Sequence, residues 1–244
     1  MTHLLKHIQC PSCAALGRDV SKDNLGVYSD GHQYCFSCGY VVAGDRVSSY
    51  LLQSTPIEAH SIYLPNDVSP VLPATQKQWL QKYELSDLTI RGNAIMWSES
   101  KQKLIFPYFV EGELVALQGR TFNPEEMKKR KWFSQGDLKR IVYTVGPESN
   151  TLVLTESIIS AIKVSTLGYR CSPIWGSVIP KEKAFALSRL TDHIILWLDP
   201  DKHVEAVTEA NKLQLYIPTV DVIFSTKKPK DTSLTNIKEY LTNA

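Results

Sequence analysis

Four of the five cysteines come in two pairs, Cys10-Pro-Ser-Cys13 and Cys35-Phe-Ser-Cys38, with 21 residues between them. A Cys-x-x-Cys turn aims two thiolates at one point, and two such turns complete a tetrahedron, so the pattern predicts a structural zinc site on all four. Zinc lowers the thiol pKa and holds thiolates, and its binding energy folds a segment too short for a core of its own. The competing reading, two disulfides or free thiols, does not suit a reducing compartment. Cys171 stands alone and reads as a small buried hydrophobe.

The turn before the second pair is richer than a metal staple needs. It carries Asp30, Gly31 and His32, with the aromatics Tyr34 and Phe36 just beyond. An Asp accepts from a cytosine amino group, a His pairs with a base edge, and an aromatic ring stacks on an unpaired base. The plainer alternative is a polar turn packed on its own ribbon.

A second group is acidic. The run TLVLT ends at Glu156, HIILWLD ends at Asp199, and Asp201 follows two residues on. At the carboxyl ends of neighbouring parallel strands, three carboxylates converge and hold magnesium or manganese. Asp231, in KPKDTS, is a fourth possible member. Against this stands a helix-capping role for Asp199.

The third group is basic. MKKRKWFSQGDLKR interleaves Lys128, Lys129, Arg130, Lys131, Lys139 and Arg140 with Trp132 and Phe133; Arg120 closes the preceding strand, and Lys227, Lys228 and Lys230 precede Asp231. Such a mixture suits phosphates and stacked bases, although a solvated loop is the ordinary reading of a charge run.

Elements must position these groups. Residues 45–75 are polar and dotted with prolines at 56, 65, 70 and 73, which predicts a linker or an extended strip laid over a neighbouring surface. ATQKQWLQKYEL has helical spacing, and Ser86 is placed to cap a further helical turn. AIMWS, KLIFPYFV and LVALQGRTF predict a small antiparallel sheet with EGE as a turn. After Asn150 apolar strands alternate with helices: TLVLT, ESIISAIKVSTLG ending at Gly168, SPIWGS, PKEKAFALSRL, HIILWLD, DKHVEAVTEANKLQL and TVDVIFS. That rhythm predicts a parallel α/β sheet with flanking helices.

At 244 residues the chain is long enough for one large domain and a small one, and 43% hydrophobic content supports a buried core. With 27 basic and 25 acidic residues the net charge is only +2, so nucleic-acid contact requires a local basic cleft. The start, MTHLLKHIQC, has no signal-peptide core, and no apolar run is long enough to span a bilayer. A cytoplasmic protein without membrane attachment is expected.

Together, HIQCPSC…SDGHQYCFSC and the later strands resemble the primase half of the phage primase–helicase proteins, related to DnaG-type primases. The resemblance covers most of the chain and is weakest across the linker. It implies a zinc ribbon over 1–44, a linker over 45–75, and an RNA-polymerase domain over 76–244, divided into a basic part (76–148) and a TOPRIM part (149–244). It implies template reading by Asp30, His32 and Phe36, catalysis and magnesium or manganese binding by Glu156, Asp199 and Asp201 with Asp231, and nucleotide binding by Arg120, Lys128, Lys131 and Lys230. The implied activity is a stand-alone DNA-dependent RNA primase acting on single-stranded DNA and ribonucleoside triphosphates. A separate replicative helicase or DNA polymerase is its expected partner, since no Walker A loop is present. The chain departs from the family at Ile158 and Ser160, where acids usually continue the first TOPRIM motif, and it lacks a tryptophan beyond the last cysteine. Another TOPRIM enzyme such as a nuclease, and a non-catalytic nucleic-acid-binding relic, are the alternatives.

Overall fold

The computed structural model describes residues 3–15, 17–29, 33–38, 40–42, 62–110 and 112–244. Asp30 and His32 lie outside the described residues, as does the greater part of the expected linker. The chain divides into two compact units, Met1–Ala59 and His60–Ala244.

The first unit is an antiparallel sheet of β1 (Leu4–Ile8), β2 (Leu25–Tyr28), β3 (Gln33–Cys35) and β4 (Val41–Val42), in that order, with helix α1 (Pro11–Ala15) after the first strand. Alternation sorts its residues. Leu25 and Cys35 face each other on one side and pack with Cys10, Cys13 and Ile8. His7, Gly26 and Tyr34 lie in register across the other side. A core this small cannot by itself offset the entropy of ordering the chain, so the cysteines have to do more than pack.

The second unit contains two sheets. Strands β5 (Val68–Ser69), β6 (Met96–Ser98), β7 (Lys103–Val110), β8 (Glu113–Thr121) and β9 (Trp132–Gln135) form an antiparallel sheet in sequence order. Part of the strip expected as linker therefore belongs to this sheet. Asp67 pins it, accepting from the Ser98 hydroxyl at 2.8 Å and the Ser100 amide at 2.6 Å. Helices α2 (Ala74–Gln81) and α3 (Asp87–Gly92) precede β6, and Ser86 caps α3 through the Thr89 amide as its position suggests. Helix α4 (Pro124–Lys129) joins β8 to β9 and is capped by Asn123.

The other sheet is wholly parallel: β10 (Thr151–Thr155), β11 (Arg170–Pro173), β12 (His193–Trp197) and β13 (Thr219–Val222), in the order β11-β10-β12-β13. The run SPIWGS is strand only through Pro173; beyond it the backbone turns, with Trp175 at φ 55° and Gly176 at φ 144°. Helices α5 (Ile158–Ser165), α6 (Lys181–Leu187), α7 (His203–Leu213) and α8 (Leu234–Thr242) complete the unit. Leu152, Leu154, Ile194 and Leu196 pack with α6 and α7. Val153, Ile195 and Trp197 pack with Ile158, Ile162 and Ile237 on the opposite face. Burial on both faces explains the uninterrupted apolar strands; each such side chain contributes about 1.5–3 kcal/mol.

Candidate functional site

The four expected zinc ligands come together. The sulfur atoms of Cys10, Cys13, Cys35 and Cys38 all lie within 4.8 Å of one another, with Cys10–Cys38 at 3.6 Å and Cys13–Cys35 at 3.7 Å. A tetrahedron with Zn–S bonds of about 2.3 Å has edges of about 3.8 Å, so the spacing fits zinc. The thiols are free of disulfides. Asp19, buried, accepts from the Cys10 amide at 2.6 Å and the Asp23 amide at 3.2 Å, bracing the first knuckle.

Phe36 stands on the outer face of this ribbon and is 60% exposed. Its ring lies nearly parallel to His7 (6.1 Å between centroids, 13°) and edge-on to Tyr34 (5.1 Å, 85°). Gly26 forms the floor: a Cβ there would sit 3.1 Å from Phe36 Cε2 and 3.1 Å from Leu4 Cδ1. The ribbon thus presents a half-open aromatic face, suited to stacking a planar group. Nothing in the sequence pattern singled out His7 as a member; its place follows from strand register.

In the second unit, β10 and β12 are parallel neighbours with Thr155 opposite Trp197, so Glu156 directly follows the end of β10 and Asp199 comes two residues after the end of β12. This is also where strand order reverses, since β11 lies to one side of β10 and β12–β13 to the other. Such a reversal opens a crevice at the carboxyl ends. Glu156 is half-buried, and its Oε2 is buried with no hydrogen-bond partner. Burial pushes its pKa up, with Asp199 and Asp201 adding and Lys228 and Lys202 opposing. Asp199 is buried and does not cap the following 3-10 turn, which removes the capping explanation. Its Oδ2 instead pairs with Lys228 Nζ at 2.5 Å. Among the described residues only the cysteines converge within 4.8 Å; the three carboxylates stand wider. A buried carboxylate oxygen without a partner, set among like charges, is a donor suited to a hard divalent cation.

The remaining expected residues divide. Lys230 and Asp231 lie on a 3-10 turn, Pro229–Asp231, where the Lys230 carbonyl accepts from Lys163 at 3.1 Å and Asp231 is exposed. Arg120 and Lys131 are adjacent: Arg120 donates from NH1 to the Thr121 and Lys131 carbonyls at 3.0 and 3.2 Å. The Arg120 guanidinium lies 5.5 Å from the Trp79 ring and 5.7 Å from Phe122, and burial lowers its pKa. Lys128 sits on α4, exposed and paired with Glu125 at 2.7 Å, a contact easily given up.

No family model matches the sequence, and no curated protein matches it. Solved structures do match the fold. A DnaG catalytic core aligns with a TM-score of 0.53 and 14% identity over 70% of this chain and 73% of its own. The zinc-binding and RNA polymerase domains of the Aquifex aeolicus primase align with a TM-score of 0.57 and 14% identity over 99% of this chain and 79% of their own. A DnaG primase catalytic domain bound to ssDNA aligns with a TM-score of 0.55 and 15% identity over 70% and 72%. The fold is that of a DnaG-type primase core.

Within this primase fold, the positions where the resembled family has further acids serve the helix instead. Ile158 is buried in the core, and Ser160 accepts or donates in a hydroxyl pair with Ser157, which caps α5. Three residues of the crevice region escaped sequence reasoning. Lys228 was one lysine in a run of three, with nothing to separate it from Lys227 and Lys230. Trp175 and Gln118 touch only through tertiary contact, indole Nε1 to Oε1 at 3.0 Å.

Proposed function

We propose that this protein is a DNA-dependent RNA primase, the counterpart of the primase half of phage primase–helicases. The observation that carries the reading is the position of Glu156 and Asp199 just past the ends of adjacent strands at the switch point of the parallel sheet, with Glu156 Oε2 buried and unpartnered, in a fold shared with DnaG cores. Glu156, Asp199 and Asp201, together with Asp231, are assigned to hold magnesium or manganese. Such an ion supplies charge neutralisation and activation of a primer 3′-hydroxyl toward the α-phosphorus of the next ribonucleotide, with pyrophosphate leaving. Arg120, Lys128, Lys131 and Lys230 bind triphosphate and template phosphates. The four cysteines hold zinc, and the zinc keeps the aromatic face of Phe36 rigid. Asp30, His32 and Phe36 read the template.

In this reading the 1–44 ribbon selects the template, 45–75 connects it, and 76–148 with 149–244 carries out polymerisation. Single-stranded DNA and ribonucleoside triphosphates are the ligands, and a separate helicase or DNA polymerase is the partner. No helix among the described residues is long and apolar enough to cross a membrane. A primase works where DNA is copied, which places it in the cytoplasm of the cell that hosts it.

The test offers single-stranded templates of varied sequence, labelled ribonucleotides and magnesium or manganese. Short RNA is the expected product. Asp199→Ala should abolish it and leave DNA binding nearly intact. DNA cleavage without RNA synthesis would favour a nuclease, and binding alone would favour a non-catalytic relic.

A further inference from the structure

Lys228 places a positive charge inside the acid crevice. Its Nζ is 2.5 Å from Asp199 Oδ2, and Asp201 and Glu156 add to the field that holds it charged. The other nearby ammonium groups are committed elsewhere: Lys202 pairs with Glu205 at 3.0 Å, and Lys163 with Glu84 at 2.6 Å. The backbone beneath Lys228 is well fixed. Its carbonyl accepts from the Asp231 amide at 2.9 Å and the Thr232 hydroxyl at 3.0 Å. Trp197 Nε1 donates to Ser225, whose hydroxyl donates to the Lys227 carbonyl, so the preceding residues are tied to β12. The side chain, by contrast, is 43% exposed on a flexible stem. It can leave Asp199 without disturbing the loop.

The charge balance is informative. A divalent cation entering among these carboxylates meets an ammonium already paired with Asp199 Oδ2. That cation needs the oxygen Lys228 occupies. We propose that Lys228 is a built-in cation of the crevice, which holds Asp199 until one divalent ion displaces it. Lys228 therefore weakens ion binding.

This inference rests on the proposed metal-binding role of the acids, and the experiment separates the two. Manganese alone is titrated into the zinc-loaded full chain, without nucleotide or DNA, and free ion is followed by electron paramagnetic resonance. The wild type should bind manganese. Lys228→Met, or Lys228→Gln if the first variant folds poorly, should bind it roughly tenfold more tightly, because a like charge a few ångströms away has gone. Lys228→Arg should stay near wild type, and Asp199→Asn should lose the ion. Unchanged or weaker affinity in both neutral variants overturns the proposal for Lys228 while leaving the acids as a metal site. Absence of manganese binding in the wild type and the neutral variants alike overturns both.

Discussion

The backbone amide of Trp175 donates to the carbonyl oxygen of Glu156 at 3.0 Å, while its indole N–H donates to Gln118 Oε1 at 3.0 Å. One residue thus joins the acid crevice to β8, two positions before Arg120 and on the same strand face. Trp175 holds φ at 55°, a region costly for a bulky side chain by about 1–3 kcal/mol. Tyr108, edge-on at 5.0 Å, and Lys183 Nζ, 4.6 Å from the ring centre, keep it there.

Trp175→Phe removes the indole bond and keeps the ring. It should slow RNA synthesis several-fold, chiefly in kcat, and lower stability by about 1 kcal/mol. Gln118→Leu also frees the Tyr108 hydroxyl, which donates to the same Oε1 at 2.8 Å, so it should cost more, and the double variant should be little worse than Gln118→Leu alone. Additive losses would show that the two residues act separately.

The zinc prediction is structural. Chelation, or Cys13→Ser, should unfold the first unit, because its core of cysteines, Leu25 and Ile8 is small and metal binding supplies the folding energy. Metal analysis should give one zinc per chain, and four thiols should become reactive together. The thermal transition of the second unit should persist; its loss would show that the units do not fold independently.

Lys183 is fully buried, donates to the Pro173 carbonyl at 3.1 Å and forms no ion pair among the described residues. Burial lowers its pKa from 10.5 to about 7. Between those values the unfolded chain binds the proton and the folded chain does not, so stability rises as pH increases from about 7 toward 10.5. Lys183→Met should therefore be more stable than wild type at pH 7, by roughly 1–4 kcal/mol, with the advantage shrinking in alkali. Denaturant titrations at several pH values measure it; a constant difference would rule out the titration.

Asp67 makes the opposite contribution. The Ser100 amide and the Ser98 hydroxyl hold its pKa at about 2, below the ordinary 3.8. A depressed carboxylate stabilises the fold above its unfolded pKa, and the effect is lost as pH falls from about 4 to about 2. Asp67→Ala should lower Tm at pH 7, and the difference from wild type should narrow in that acid window. An equal difference at both ends would show that Asp67 acts by shape and not by charge.

The sequence by itself determined the zinc ribbon, the parallel sheet and the acids at its strand ends. Short-range spacing carries those signals: two residues between cysteines, runs of apolar strand residues, an acid directly after each run. It also placed Ser86 at a helix start, because capping is local, whereas the helix expected to run to Gly168 ends at Ser165 with Thr166 as its cap. What spacing cannot encode is which distant side chains meet. The run SPIWGS reads as strand because its apolar residues are those of a strand. Yet Trp175 is turned by contacts with Gln118, Tyr108 and Lys183, which lie 57, 67 and 8 positions away. Lys228 looks like its neighbours in the chain, and only the loop after β13 brings it, and neither Lys227 nor Lys230, onto Asp199. Chemistry of residue type and local periodicity are written along the chain. The pairing of a charge with its partner across 29 residues is decided only when the sheet closes, because the folded backbone sets that distance.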